Sequence, residues 1–432
     1  MKLFAVTGSP VLHSQSPALF AAAYPLHADD FAYFRLAAQS AEEAAALFDE
    51  LGLSGMNITA PFKGDMAQLA DARAQEVQAL NACNTLLVEH GKKCCYNTDI
   101  FGVPGALRKA GVPVAGKRCL TLGAGGAGSA AAYALHAEGG VVTVANRTLS
   151  KARRLAESIG CRYAGLSEIA AIAPRADIIV SALCHGVDVL DEAWLRPQQV
   201  LFDAVYHGSA LREKALRAGC KLIDGAEWLL HQGAPAYRRF TGMEPDVEGM
   251  EKVGLPQALP KHISLIGFMG AGKSAVAPLL AAMLGRPAVD ADAVLEERCG
   301  ASIPSLIGEK GEDYFREQER AVVEEALASP TPAVISCGGG AVTQPLLGKL
   351  LKERSIAVWI YAPPARCVSR IDVSTRPLLA RHANPRQAAA ELFEKRKFLY
   401  AKTAWMLVSS RDRSAEQVSR LIYDEISKVH HR

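Results

Sequence analysis

The sequence predicts an α/β protein whose sheets are mainly parallel. Three observations predict it. Short apolar runs at 3–6, 118–122, 141–144, 177–180, 263–266, 333–335 and 357–360 alternate with Ala-rich helical patterns. Several of these runs pass through a Gly-rich turn into an amphipathic helix. Two glycine loops with phosphate-binding spacing, at 123–128 and 267–274, each sit between such a strand and such a helix.

Composition bounds the function. At about 150 residues per domain, 432 residues suggest about three folding units. Apolar residues make up 50% and charged residues 22%, as in globular chains and unlike disordered ones. Net charge is +3, from 48 basic and 45 acidic residues, with no basic stripe, so no nucleic-acid partner is expected. The first eight residues, Met1 to Gly8, turn polar too soon for a signal peptide. No apolar run approaches the ~20 residues of a membrane span, so a cytoplasmic setting and no membrane partner are expected. The ten cysteines are scattered, with no CxxC, and read as reduced thiols. The 11 histidines show no metal-ligand spacing. Residues 249–260 carry two glycines and two prolines between structured patterns, and the chain divides near residue 258.

The first loop is Gly123-Ala124-Gly125-Gly126-Ala127-Gly128, a GxGxxG match. The apolar run before it, the helix pattern at 129–135 and the run at 141–144 make a dinucleotide-binding unit. Its glycines let the backbone approach a pyrophosphate at a helix N-terminus. A tight turn before a packing helix is the alternative. An Asp or Glu after the second strand would hold an NAD ribose. The chain instead reads Asn146-Arg147-Thr148. A guanidinium with hydroxyls suits a 2′-phosphate, hence NADPH/NADP.

The N-terminal third holds four polar clusters between apolar runs, at 9–17, 57–63, 81–85 and 97–99. Hydroxyls and amides dominate, with one lysine, Lys63, and one aspartate, Asp99. That inventory suits a small, anionic, polyhydroxylated ligand. A Lys near an Asp can protonate an alkoxide formed by ketone reduction. Taken singly, each cluster also reads as a turn or cap. The segments GSPVLHSQSP, NITAPFK, CNT, YNTD, GAGGAGSA, NRT and LLHQGAPAYRRFTG together resemble shikimate 5-dehydrogenase over residues 1–255. The resemblance implies that Ser14 and Ser16 hold the substrate carboxylate. It implies that Thr59, Asn84, Asp99 and Gln232 hold hydroxyls, that Lys63 and Asp99 form the catalytic pair, and that Tyr206 lies near the substrate. Gly123, Gly125, Gly126, Ala127, Asn146, Arg147 and Thr148 would bind NADP. The sequence departs from the family after Tyr206, where His207-Gly208 replaces the usual Thr-Pro, and at 181–186, where the usual Asn is missing.

The second loop, Gly267-Phe268-Met269-Gly270-Ala271-Gly272-Lys273-Ser274, fits GxxxxGK[ST]. Its backbone N–H groups would cradle phosphates, Lys273 would reach the β/γ oxygens and Ser274 would ligate Mg²⁺. Asp290 and Asp292 end a short strand at 287–289 and are expected to leave it on the same side. There they would help hold Mg²⁺ and orient an acceptor hydroxyl; a helix cap plus a surface acid is the alternative. Arg316 and Glu319 share a helix face, where a surface salt bridge competes with a site. Gly338-Gly339-Gly340 after an apolar run lets a ligand pack on backbone.

LIGFMGAGKS, VDADAVLE, YFREQE, CGGGAV, RPLL and the stretch from Arg396 to Tyr400 resemble shikimate kinase over residues 262–425. The resemblance implies that Asp292 binds the acceptor hydroxyls and assists proton removal. Arg316, Arg396 and Gly338 to Gly340 would hold shikimate, Arg376 would close over ATP, Arg370 would lie near the adenine, and Asp290 would act through Mg²⁺. The lid segment 371–375 lacks glycines, and Lys402 stands where the family often has an acid.

The expected architecture is therefore a two-lobed dehydrogenase with a Rossmann NADP domain, followed by a P-loop kinase of the nucleoside-monophosphate-kinase type. Its boundaries are a substrate lobe at 1–101 with 226–250 folding back, a Rossmann lobe at 102–225, a linker at 251–261 and a kinase at 262–432. The expected function is NADPH reduction of 3-dehydroshikimate to shikimate, then MgATP phosphorylation of shikimate. The alternative is an NAD-dependent quinate or shikimate dehydrogenase fused to a shikimate-sensing, non-catalytic kinase-like domain.

Overall fold

The computed structural model describes residues 1–23, 30–183, 186–204, 209–253 and 259–430. Its strands, in chain order, are β1 (Lys2–Gly8), β2 (Phe31–Ala37), β3 (Gly55–Ile58), β4 (Ala72–Arg73), β5 (Thr85–Glu89), β6 (Lys92–Tyr96), β7 (Arg118–Leu122), β8 (Val141–Asn146) and β9 (Arg162–Gly165). They continue with β10 (Ile178–Ser181), β11 (Val200–Asp203), β12 (Lys221–Asp224), β13 (His262–Ile266), β14 (Ala288–Asp290), β15 (Val334–Ser336), β16 (Ser355–Tyr361) and β17 (Met406–Ser409). The chain forms two compact units, one of residues 18–26 and 54–256, the other of residues 1–17, 27–53 and 257–432.

The first unit holds a six-stranded parallel sheet in the order β12-β11-β10-β7-β8-β9. Strands β7 to β9 run outward on one side and β10 to β12 on the other, so the winding reverses between β7 and β10. Loops leaving the carboxyl ends of those two strands flank the crevice where doubly wound sheets bind nucleotides. Strands β10 and β11 are buried throughout, as helices on both faces require. On one face Val144, Val180 and Phe202 pack with Trp228, whose ring meets Phe202 edge-on at 5.6 Å. Strands β3, β5, β6 and β4 pair in that order, antiparallel except between β6 and β4. The helix Gly225–Thr241 returns to pack on the helix Gly102–Lys109, so closely that a Cβ at residue 102 would stand 2.1 Å from Trp228. That contact carries Gln232 back to the polar clusters of the N-terminal third.

The second unit holds seven parallel strands paired in the order β14-β15-β13-β16-β17-β2-β1. Five strands come from the C-terminal half and two from the beginning of the chain. The join is the ladder Met406↔Arg35, Leu407↔Leu36 and Val408↔Ala37. Trp359 on β16 is fully buried, stacked on Tyr400 at 5.6 Å and tilted against Phe34 of β2 at 5.7 Å. The hydrophobic core thus continues across the join. Of the expected linker, residues 254–258 lie outside the described residues. Among the described residues no helix is long and apolar enough to cross a membrane.

Candidate active sites

In the first unit, Lys63 opens the helix Lys63–Leu69, and Asp99 sits in the short 3-10 turn Thr98–Phe101. Asn97 shapes that turn by accepting the Asp99 N–H at 3.1 Å. Lys63 Nζ donates to Asp99 Oδ2 at 2.5 Å, with both side chains largely shielded from water. Beside the pair lies an amide-hydroxyl web. Asn84 Oδ1 accepts from the Thr98 N–H at 2.7 Å and from Thr85 Oγ1 at 2.8 Å. Asn84 Nδ2 donates to Thr98 Oγ1 at 3.0 Å and to Gln232 Oε1 at 3.4 Å. Thr59 opens the turn that ends β3, its carbonyl accepting from the Phe62 N–H at 3.1 Å.

The glycine loop comes up against this web. The helix Gly126–Ala137 starts inside the GxGxxG segment, three residues earlier than its Ala-rich pattern at 129–135 suggests. A side chain at Gly126 would begin 3.0 Å from Lys63 Cδ, so the lysine lies against the loop. Asn146, ending β8, accepts from the Ala124 N–H at 3.2 Å and braces the loop. Arg147 and Thr148 follow it, both exposed, where the ribose end of a dinucleotide passes in this fold. At Gly128 the helix presses on the loop: a Cβ there would stand 2.1 Å from the Gly123 carbonyl oxygen. The sequence-derived set Lys63, Asp99, Asn84, Gln232 and Gly126 is thus brought together. Tyr206, and the departures at 207–208 and 184–185, lie outside the described residues. Thr98, central to the web, carries no sequence signal beyond its place between Asn97 and Asp99.

Ser14 and Ser16 belong to the second unit. Ser14 Oγ donates to Ser16 Oγ at 3.3 Å, and Ser14 N donates to the Val11 carbonyl at 3.0 Å, closing a tight loop after β1.

The second phosphate loop joins β13 to the helix Lys273–Leu284. Its mouth opens into a cavity of about 600 Å³. Ser274, Asp290, Asp292, Arg316, Gly338, Gly339, Gly340, Arg376 and Arg396 all line it. Lys273 is buried behind the loop and donates to the carbonyls of Gly267 at 2.9 Å and Phe268 at 3.1 Å. Burial pulls its ammonium below the usual lysine range, and the charge of Asp292 opposes that pull. Burial also pushes the Asp292 carboxyl above the usual range, against the attraction of Lys273.

Two expectations change. The strand stops at Asp290, and the helix Ala291–Cys299 begins at once. Strand alternation therefore does not place the two acids. Asp290 Oδ1 caps the helix, accepting from the N–H groups of Asp292 at 3.1 Å and Ala293 at 3.3 Å, while Asp292 enters the cavity wall from the first helical turn. The i,i+3 pair of Arg316 and Glu319 does form, at 2.8 Å, but Glu319 is 1% exposed and the pair lies in the cavity wall. Glu319 also accepts from Gln344 at 3.0 Å, leaving Oε1 without a hydrogen-bond partner and the carboxyl pushed up by burial. The glycines make room for this pair. A Cβ at Gly338 would meet Glu319 Oε1 at 2.2 Å, and one at Gly340 would meet Arg316 Nη1 at 2.5 Å. Arg396 Nη1 and the Tyr400 hydroxyl both donate to the Gly339 carbonyl, at 3.2 and 2.5 Å. Arg370 is pinned outside this cavity wall on the carbonyls of Ser410 and Arg411, at 2.8 and 3.1 Å. Arg381, which also lines the cavity, carries no sequence signal beyond its charge.

A Rossmann sheet with a Lys–Asp pair against its glycine loop, joined to a P-loop domain with acids and arginines around one cavity, defines a dinucleotide-linked oxidoreductase fused to a phosphotransferase. The comparisons agree. Family models described as shikimate dehydrogenase substrate binding domain, shikimate / quinate 5-dehydrogenase and shikimate 5′-dehydrogenase C-terminal domain match residues 6–86, 106–201 and 225–253. A model described as shikimate kinase matches residues 269–427. The shikimate dehydrogenase (NADP(+)) of Methanothrix thermoacetophila is 34% identical over 259 residues, covering 58% of this chain and 96% of its own. The crystal structure of the Thermus thermophilus shikimate 5-dehydrogenase, in complex with NADP(H) and shikimate, is 34% identical with a TM-score of 0.54, covering 58% of this chain and 98% of its own. A quinate dehydrogenase from Corynebacterium glutamicum, in complex with NAD, is 27% identical with a TM-score of 0.52, covering 58% and 97%. The chain belongs to the shikimate dehydrogenase family and carries a shikimate kinase domain in the same polypeptide.

The close approach at Gly128 is directly testable. Gly128→Ala puts a Cβ into the Gly123 carbonyl, an overpacking strain of about 1–3 kcal/mol that must displace the loop. The expected result is about a tenfold or greater rise in the KM for NADPH with kinase activity retained, measured by steady-state kinetics of both reactions on one preparation.

Proposed function

We propose that this chain reduces 3-dehydroshikimate to shikimate with NADPH and then phosphorylates shikimate at its 3-hydroxyl with MgATP. The observation that carries the reading is the shielded Lys63–Asp99 pair lying against Gly126 of the nucleotide loop. In the first reaction NADPH supplies the hydride. Lys63 Nζ delivers a proton to the oxygen of the reduced carbonyl, and Asp99 holds the ammonium on line and offsets its charge. Asn84, Thr59 and Gln232 orient the ring hydroxyls; Ser14 and Ser16 hold the carboxylate. Arg147 and Thr148 favour NADPH by meeting a 2′-phosphate that NADH lacks.

In the second reaction MgATP supplies the phosphoryl group. The oxygen donors near the loop fit a hard cation. Ser274 Oγ makes only a long contact, 3.3 Å, to Ser336 Oγ, which leaves it able to ligate, and Asp290 lines the same cavity. Ser274 would hold Mg²⁺, with Asp290 acting through the ion or its waters. Lys273 leaves its two loop carbonyls for phosphate oxygens. Gly270, Ala271 and Gly272 offer backbone N–H groups to them, and Arg376 closes from above. Arg370 would lie near the adenine. Arg316, Arg396 and the glycines Gly338 to Gly340 hold shikimate, and Asp292 orients the 3-hydroxyl and takes its proton. The reading as a non-catalytic sensor is disfavoured by an intact Gly272-Lys273-Ser274 segment facing Asp292.

The two activities separate by mutation. Lys63→Ala should lower shikimate dehydrogenase turnover by about 10²–10⁴-fold and leave phosphorylation within a factor of about two. Lys273→Met should abolish phosphorylation while NADP-linked oxidation of shikimate persists; both are read from one coupled assay with product mass. Removing the Arg147 side chain should raise the KM for NADPH by about tenfold or more and barely change that for NADH, by the size of a charge-assisted hydrogen bond. An unchanged NADPH/NADH preference would assign the site to NAD. For the kinase, burial raises the Asp292 pKa, and the acid must be ionised to accept a proton. The acid limb of kcat/KM therefore lies above the ordinary carboxylate range, with activity lost as pH falls through it.

A further inference from the structure

The loop after β1 that bears Ser14 and Ser16 is held by residues of the kinase half. Glu425, on the helix Ala415–His430, accepts the N–H groups of Val11 at 2.8 Å and Leu12 at 2.9 Å through the same oxygen, Oε2. Val11, Leu12 and Glu425 are all at most 2% exposed, so no water replaces this acceptor. Arg35, buried on β2, donates through Nε and Nη2 to the Ser14 carbonyl at 3.0 and 2.7 Å. Its remaining nitrogen, Nη1, donates to the Trp405 carbonyl at 3.2 Å, and its guanidinium lies 5.3 Å from the centre of the Trp405 ring. Trp405 immediately precedes β17. Two backbone N–H groups before Ser14 and the carbonyl of Ser14 itself are therefore set by side chains that the C-terminal half supplies or positions.

We infer that the kinase half completes the dehydrogenase's carboxylate-binding loop, with Glu425 as a positioning residue that fixes Ser14 and Ser16. The inference rests on the reading above that these serines hold the substrate carboxylate. Glu425 touches no substrate; it acts through the backbone of residues 11 and 12. An uncompensated pair of buried N–H groups turns toward water, and the loop moves with them. Because the serines contact only the carboxylate, their displacement weakens binding of that group and leaves proton transfer at Lys63 unchanged.

The test uses the full chain. Glu425→Ala should raise the KM for shikimate in NADP-linked oxidation by about tenfold, with kcat and the KM for NADP within about twofold of the parent. Glu425→Gln keeps one oxygen acceptor for both N–H groups and should recover most of the loss. For an analogue carrying hydroxymethyl in place of the carboxylate, the KM should be the same in parent and variant. Arg420→Ala, an exposed change on the same helix, should alter none of these. A KM for shikimate unchanged in Glu425→Ala would overturn the inference, as would a fall in kcat equal to the rise in KM. An effect as large on the hydroxymethyl analogue would also overturn it. If Glu425→Ala does not fold, Glu425→Gln and Arg35→Lys decide by the same KM-against-kcat split. Failure of the parent chain to oxidise shikimate would instead remove the underlying assignment of the serines.

Discussion

The pairing of β17 with β2 is the constraint on which the second unit depends. Without a neighbour, β17 would be the edge of a parallel sheet, with a row of unpaired N–H and C=O groups. Strand β2 takes that edge, and β1 follows it. The consequence is legible in burial: β13, β16 and β17 are buried at every position, as interior parallel strands must be. Apolar packing follows the ladder, since Trp359 meets Phe34 from one half and Tyr400 from the other. An ion pair and a hydrogen bond decorate the same join. Arg413 reaches Glu43 at 2.5 Å, and the Tyr361 hydroxyl reaches Glu50 at 3.3 Å. Such partly exposed pairs contribute little each, so the ladder and the aromatic core carry the join.

Lys63 and Lys273 stand in opposite environments, which on the proposed reading suit two different tasks. Lys63 has a carboxylate partner at 2.5 Å. Lys273 has only neutral carbonyls, and its burial is uncompensated apart from the more distant Asp292. A buried ammonium on neutral acceptors gains most from an incoming anion, because the desolvation cost has already been met in the folded chain. An ammonium already paired with an acid is better suited to giving and regaining a proton in place. The first arrangement favours phosphate binding, the second ketone reduction.

Most of the architecture was visible in the sequence, for physical reasons. The strands β1, β7, β8, β10, β13, β15 and β16 all fall on apolar runs, because interior parallel strands leave no position for polar residues. The glycine loops were visible because a close backbone approach tolerates no side chain, as at Gly128. What could not be read was long-range. No periodicity says that β2 will pair with a strand some 370 residues later, as Arg35 does with Met406. The alternation argument for Asp290 and Asp292 failed because a cap ended the strand, and an Asp–x–Asp spacing fits a helix start as well as a strand. Glu319 looked like half of a surface pair because sequence spacing carries no information on burial. Glu425 is one acid among 45, and only the fold shows that it faces two amides.

On the proposed reading, one carboxylate is recognised twice by different chemistry. In the dehydrogenase it meets two hydroxyls whose loop is braced from behind by Arg35. In the kinase it meets Arg316 and Arg396. The charge count suggests that the kinase grips harder, but Arg316 is already engaged by Glu319 at 2.8 Å and Glu312 at 3.0 Å. A substrate carboxylate must share that guanidinium with an acid that is buried and cannot leave, so the net attraction is smaller than two free arginines would give. An anion must also fit the floor formed by Gly338 to Gly340, where a Cβ at either end would strike the Arg316–Glu319 pair. Shape and charge are set by the same two side chains, which is why these glycines and this arginine form a single unit of recognition.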